Sequence, residues 1–253
     1  MPESEMSPEP GLESLLPRIV PGLAEQWKGS TPDEISQLER IAGRPLPPFY
    51  RWFLSRMGQS MGPLSYSTLD FSVRRILDCY AEGMVEPDPR FLLIAYESDE
   101  MMPLHLFYDF KAPARDDALV TKRDALGGEL YDMFETLREK LAWDALFSYR
   151  VSDMPQQCGG LLEGDEADFL SHLDPVMSGL GFTQPVLTGS LCRLYERSDA
   201  AMLCDGVPRA RVGNRVAFTL GGSNAETLRR ILGAVSMESS LNVLVRKWEP
   251  DLR

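Results

Sequence analysis

With 253 residues, 43% of them apolar and 25% charged, the chain can bury a core without disulfides or metal, and its composition is not that of a disordered protein. Its net charge of −12, from 38 Asp and Glu against 26 Lys and Arg, opposes binding to a phosphate backbone, where Lys and Arg must displace counterions. No apolar run approaches the roughly 20 residues that span a bilayer, and the start Met1-Pro2-Glu3-Ser4-Glu5 lacks the basic-then-apolar order of a secretory signal.

These limits give an expectation of a cytoplasmic α+β protein without membrane or nucleic-acid partners. The acidity favours a basic protein partner, whose approach a negative surface steers. Solubility alone is the plainer reading of the same charge.

In chain order, residues 1–10 are Pro, Glu and Ser rich and read as a frayed end. Leu15, Leu16, Ile19, Leu23 and Trp27 then recur at helical spacing, interrupted by Pro17 and Pro21, which predicts a kinked helix or two short ones. Thr31-Pro32-Asp33-Glu34 is a capping box opening a helix with Ile35 and Leu38 on one face, and Gly43 is a natural stop. Leu46-Pro47-Pro48 leads into a second helix carrying Phe49, Tyr50, Phe53, Leu54 and Met57, closed by Gly58. Strands are expected over residues 91–96, 104–110 and 118–121, from a continuous apolar run and from alternation. Leu130, Phe134, Leu137 and Leu141 step by helical intervals, predicting one long amphipathic helix over residues 128–147. Helices, then strands, then a closing helix is an α+β order, not alternating βαβ units.

Residues 151–164, with Pro155, Gln156, Gln157, Gly159 and Gly160, read as a linker between a domain at 11–150 and a smaller α+β domain at 165–253. In the latter, a helix with Phe169, Leu173 and Val176 ends at Gly181. Strands follow over 191–196, 201–204 and 216–220, separated by turn signals at Ser198-Asp199, Asp205-Gly206 and Gly213-Asn214. Ser223-Asn224-Ala225-Glu226 reads as a second capping box, and residues 241–248 fit strand or helix equally.

Residue chemistry offers little for catalysis. His105 and His172 have no Cys or Asp at ligand spacing, so no metal site and no cofactor are expected. A G-x-S-x-G nucleophile turn is missing. Cys79, Cys158, Cys192 and Cys204 form no C-x-x-C pair and read as buried, reduced thiols. If Ser198-Asp199 is a two-residue turn, Cys192 faces Asp205 and the two nearby sulfurs point to opposite faces. Leu220-Gly221-Gly222-Ser223-Asn224 resembles a phosphate-cradling turn but lacks the Lys-Ser/Thr ending of a P-loop. The remaining candidates are two acidic loops, one with Glu82, Glu86 and Asp88, the other with Glu97, Asp99 and Glu100. Solvated loop charge is the plainer reading of both, and as a functional reading they are the candidate partner-binding loops.

The motif Trp27-Lys28-Gly29-Ser30-Thr31-Pro32-Asp33-Glu34-Ile35, then Leu38-Glu39, Leu46-Pro47, Tyr50, Phe53-Leu54 and Gly58, resembles the opening of the SUKH superfamily of Smi/Knr-type domains. Met57-Gly58-Gln59 stands where many members have Asn-Gly-Gly, and the resemblance covers residues 12–147. It implies a non-catalytic sheet backed by helices and used for protein binding. In bacteria such domains are commonly immunity proteins that neutralise polymorphic toxins, often nucleases or deaminases. The fungal members imply an alternative, a regulatory or scaffolding adaptor; an enzyme holding a phosphorylated ligand on Gly221-Gly222 is a third reading. Glu39 is the one motif residue that packing does not explain, and a half-buried carboxylate there should bond backbone or Arg.

Overall fold

The computed structural model describes residues 9–165, 168–208 and 215–250. They form an α+β protein of two compact units divided between Arg138 and Glu139, each built on a five-stranded antiparallel sheet.

The first unit opens with helices α1 (Pro10–Ile19), α2 (Leu23–Gln26), α3 (Pro32–Ala42) and α4 (Pro48–Met57). Residues 1–8 lie outside the described residues, but the expected fraying does not extend to residue 10. Pro10 starts α1, and the buried Glu9 carboxylate accepts hydrogen bonds from Arg138. Pro17 stays inside α1, and the turn at residues 20–22 divides it from α2. The capping box is complete: Thr31 Oγ1 accepts the Glu34 N–H, and Glu34 Oε2 accepts the Thr31 N–H at 2.7 Å. Gly43 closes α3 in the left-handed conformation at φ 64°, which glycine adopts without steric cost. Gly58 closes α4 for a different reason. Its φ is ordinary, but a Cβ there would lie 2.0 Å from Ser30 Oγ.

The short strand β1 (Leu69–Asp70) precedes α5 (Val73–Ala81), capped by Ser72. Strands β2 (Phe91–Glu97), β3 (His105–Ala114), β4 (Asp117–Asp124) and β5 (Gly127–Phe134) complete a meander in the order β1-β2-β3-β4-β5. Leu12, Leu16, Leu38, Phe49, Tyr50 and Phe53 are fully buried beside strand residues such as Leu92, Phe107 and Tyr108. Tyr50 meets Tyr108 edge to face at 5.2 Å. Each such apolar side chain stabilises the fold by about 1.5–3 kcal/mol.

One expectation fails here. The long helix over 128–147 is instead strand β5 followed by α6 (Leu137–Leu146), which continues as a π-helical turn over Phe147–Val151. Gly127 and Gly128 both have positive φ and turn the chain back along β4, and Asp117 Oδ2 accepts the Leu137 N–H, satisfying the first turn of α6 from another strand. The helical spacing of Leu130, Phe134 and Leu137 was thus a coincidence across a strand, a bend and a helix. Helix α5 was not foreseen, although Ser72 and the spacing of Val73, Ile76 and Leu77 carry its signature.

The second unit contains β6 (Gln156–Glu163), α7 (Leu173–Gly179), β7 (Cys192–Arg197), β8 (Ala200–Asp205), β9 (Arg215–Gly222), α8 (Ala225–Glu238) and β10 (Asn242–Glu249). Its sheet order is β10-β6-β9-β8-β7. The stretch expected as a linker is therefore β6, paired on both sides. Its Gly160 is a packing residue, because a Cβ there would lie 2.0 Å from the Leu244 carbonyl oxygen on β10. The division at Arg138 and Glu139 falls in the first turn of α6, so most of that helix belongs to the second unit rather than closing a domain at residue 150.

The hairpin β7–β8 has the expected register: Arg197 pairs with Ala200 and Cys192 with Asp205. Alternation sends Cys204 into the core that α7 and α8 cover, with Leu173, Tyr195, Phe218 and Ile231, and turns Cys192 away from it. The second capping box is displaced by one residue. Asn224 is the cap, its side chain accepting the Thr227 N–H at 2.8 Å. Residues 169–172 are a 3-10 turn leading into α7. The Gly213-Asn214 turn lies outside the described residues.

Candidate functional site

A meander places alternate connections at opposite ends of its sheet. In the first unit, the β2–β3 connection (residues 98–104) and the β4–β5 turn (residues 125–126) share one end, while the segment leading into β2 stands at the other. Strand β2 has seven residues, about 20 Å of chain. Side chains bridge much of that length: Glu82 lies 4.0 Å from Arg75, whose guanidinium covers the Tyr96 ring, and Asp88 lies 3.9 Å from Arg123, whose Nε donates to the Asp124 carbonyl at 3.3 Å.

At the far end, Glu82 is exposed, 4.0 Å from Arg75, and Glu86 is exposed. Asp88 is used locally: Oδ1 accepts the Arg90 N–H at 2.7 Å, and its other oxygen lies 3.9 Å from Arg123. At the near end Glu97 corrects the expectation, because it is buried, at 7% exposure. Its Oε1 accepts the Asp99 N–H, and its own N–H donates to His105 Nδ1 at 2.9 Å. Asp99 and Glu100 are exposed, and Asp99 Oδ1 accepts the Met101 N–H at 2.9 Å.

His105 is a structural histidine. It stacks on Tyr96 at 4.9 Å, and accepting a backbone N–H at Nδ1 leaves its proton on Nε2. Burial lowers its pKa. His172 ends the 3-10 turn before α7. All four cysteines are buried and free, and burial pushes the Cys158 thiol up to about 12, far from a reactive thiolate. Among the described residues, no group of three or more His, Cys, Asp and Glu is arranged to hold a metal ion, and no helix is long and apolar enough to cross a membrane.

The glycine turn considered as a phosphate cradle is filled. Gly221 and Gly222 end β9, where added Cβ atoms would meet Met154 Sδ at 2.9 Å and Leu228 Cδ2 at 2.6 Å, and Asn224 occupies the Thr227 N–H.

The motif residues build a scaffold. Ile35, Leu38, Leu46, Tyr50, Phe53 and Leu54 are buried, Trp27 and Pro47 partly so. Glu39 does what its half-buried position requires: Oε1 accepts the Leu46 N–H at 3.2 Å and a charge-assisted bond from Arg51. One carboxylate thus ties α3 to the start of α4.

No sequence pattern points to the cleft beside β1, about 440 Å³ in volume, lined by Ser60, Ser65, Tyr66, Asp70, Arg75 and Tyr96 among others. Arg75 lies flat on the Tyr96 ring at 3.9 Å, while Asp70 Oδ1 accepts the Ser72 N–H. Hydroxyls, aromatic faces and one guanidinium make this a surface suited to recognition by hydrogen bonding and stacking. Its parts come from residues 57 to 98, and only the meander brings them together.

Also missed were the exposed apolar side chains of the near-end turns. Met101-Met102 beside Asp99-Glu100 was the available signal, an apolar pair inside a polar turn. No protein-family model matches the chain, and neither a curated protein nor a solved structure does.

Proposed function

We propose that this chain is a non-catalytic cytoplasmic binding protein of the SUKH immunity type, which covers the active region of a basic, nuclease-like or deaminase-like toxin. The observation that supports this reading best is the clamp formed by Glu39, Leu46 and Arg51. It lies inside the motif on which the resemblance rests, and it explains why that motif carries a half-buried carboxylate next to the buried Leu38. The net charge of −12 adds a long-range attraction for a basic partner.

The test is co-expression with the product of an adjacent toxin-like gene. Rescue of growth and a stable complex on gel filtration are expected. A toxic neighbour that is neither rescued nor bound removes the reading.

A further inference from the structure

We propose that the end of the first unit's sheet carrying the β2–β3 and β4–β5 turns is a protein-docking surface for a basic partner with an apolar recess. This deepens the reading above and rests on its premise that the chain works by binding protein.

Three large apolar side chains stand in solvent there: Met101 at 92% exposure, Met102 at 61% and Leu126 at 93%. They are neighbours by topology. His105, where β3 leaves the first turn, pairs with Arg123 on β4, and Asp124 pairs with Gly127 across the second turn. Adjacent strands lie about 4.8 Å apart, so both tips issue from one edge of the sheet. Single exposed apolar residues are ordinary, but three on turns at one end of a sheet concentrate apolar surface where contact sites are found.

Both tips are also held in shape. Asp99 Oδ1 accepts the Met101 N–H at 2.9 Å, and Asp124 Oδ1 accepts the Leu126 N–H at 2.8 Å. In each turn an aspartate fixes the backbone of the residue whose apolar side chain is presented, which lowers the ordering cost on binding. Methionine adds a flexible, polarisable surface that adapts to an uneven recess.

Charge selects the occupant. Asp99 and Glu100 share the first turn with the methionines, and Asp124 and Glu129 lie on the strands flanking Leu126. Of the nearby cations, Arg123 on β4 lies over Phe91 at 4.3 Å and Phe107 at 4.9 Å, is 3.9 Å from Asp88 and donates from Nε to the Asp124 carbonyl at 3.3 Å, so its charge is engaged within the fold, and Arg75 on α5 lies on Tyr96. Lys122 is the remaining positive group on β4 near the tips. An acidic rim around an apolar centre complements a partner with Lys and Arg around a recess. A second copy would set like charges against each other, and an anionic lipid surface would meet carboxylates before methionines.

The test uses the full chain labelled with ¹³C at the methionine methyl groups, titrated with a synthetic peptide of alternating Leu and Lys. The Met101 and Met102 methyl signals should shift, with affinity falling as salt is raised. Met101→Ser with Leu126→Ser should weaken binding at least tenfold, with the remaining methyl signals unchanged as evidence of intact folding. The proposal is overturned if a Leu/Glu peptide gives the same shifts, if only other methionines respond, or if the double variant binds equally well. Shifts produced by raising the chain's own concentration, or by phosphatidylglycerol vesicles, in place of the Leu/Lys response would assign the patch to self-association or to membrane and overturn it too. None of these readouts needs a cognate toxin, so failure here and failure of the rescue assay are separate results.

Discussion

The hairpin tips of the two units use similar local chemistry to opposite ends. In the second unit, Ser198-Asp199 joins β7 to β8, and the tip is bound into the fold. Arg150 donates to the carbonyls of Arg197 and Ser198, the Ser223 N–H donates to the Asp199 carbonyl at 3.0 Å, and Arg197 pairs with Asp199 at 2.6 Å. In the first unit, Ala125-Leu126 joins β4 to β5 with its own aspartate clamp, but the Leu126 side chain is left in water. A tip whose carbonyls and amides are taken by distant residues stabilises its own unit. A tip that only its own loop holds is free to meet something else.

The largest expected effect breaks the second unit. Gly160→Val drives a side chain into the Leu244 carbonyl, separating β10 from β6, and should cost about 3 kcal/mol or more. Urea unfolding followed by Trp248 fluorescence measures it, since Trp248 pairs with Cys158 on β6. An unchanged midpoint would mean that β10 moves aside without penalty.

The next effect concerns the first unit and is read through pH. Burial pushes Asp117 up to about 6 from an ordinary 3.8. Below about 3.8 the folded and unfolded states are both protonated there, and the unit has its full stability with respect to this group. As pH rises through about 6 the unfolded state has already released its proton, so that stability is lost, by about 3 kcal/mol at most. Asp117→Asn keeps an acceptor for Leu137 and should remove this loss, leaving the variant more stable than the wild type at pH 8 and no more stable at pH 4. The lowered pKa of His105 acts in the other direction, costing stability as pH falls below its ordinary 6.5. It is common to both proteins and cancels in their difference, as does the raised pKa of Asp205. A difference that does not change with pH would refute the assignment.

The smallest effects sharpen the comparison of tips. Arg150→Ala removes charge-assisted bonds to two carbonyls and should cost about 2 kcal/mol in thermal or urea unfolding. Leu126→Ser removes no contact within the fold and should change stability by less than about 0.5 kcal/mol. Equal losses for the two variants would dissolve the distinction between a structural tip and a docking tip.

Much of the chain was legible where bonds join near neighbours. Thr31 and Glu34 sit three residues apart, Glu39 reaches Leu46 and Arg51 on the next helix, and Ser198-Asp199 fixes the register of its hairpin. The site was less legible. Glu97 looks like a loop acid in sequence, yet it is buried because its backbone and side chain are taken by His105 and Asp99. Asp88 likewise reads as a loop acid, yet its Oδ1 accepts the Arg90 N–H and its other oxygen lies 3.9 Å from Arg123 on β4. The cleft at Arg75 and Tyr96 had no linear pattern at all, because a helix residue and a strand residue meet there only through the meander.

What the sequence determined by itself were the α+β class, the Thr31–Glu34 capping box, the hairpin register and the Glu39 clamp, all set by groups within about a dozen positions of each other. Tertiary structure decided the rest. Asp117, twenty residues away, starts α6 where the spacing of Leu130, Phe134 and Leu137 promised a longer helix. The approach of β10 makes Gly159-Gly160 strand rather than linker. Sheet order alone brings the turns of Met101 and Leu126 to one end of the sheet. A backbone group's partner, and a side chain's exposure, are properties of the packed chain, and local pattern fixes them only when the partner is also local.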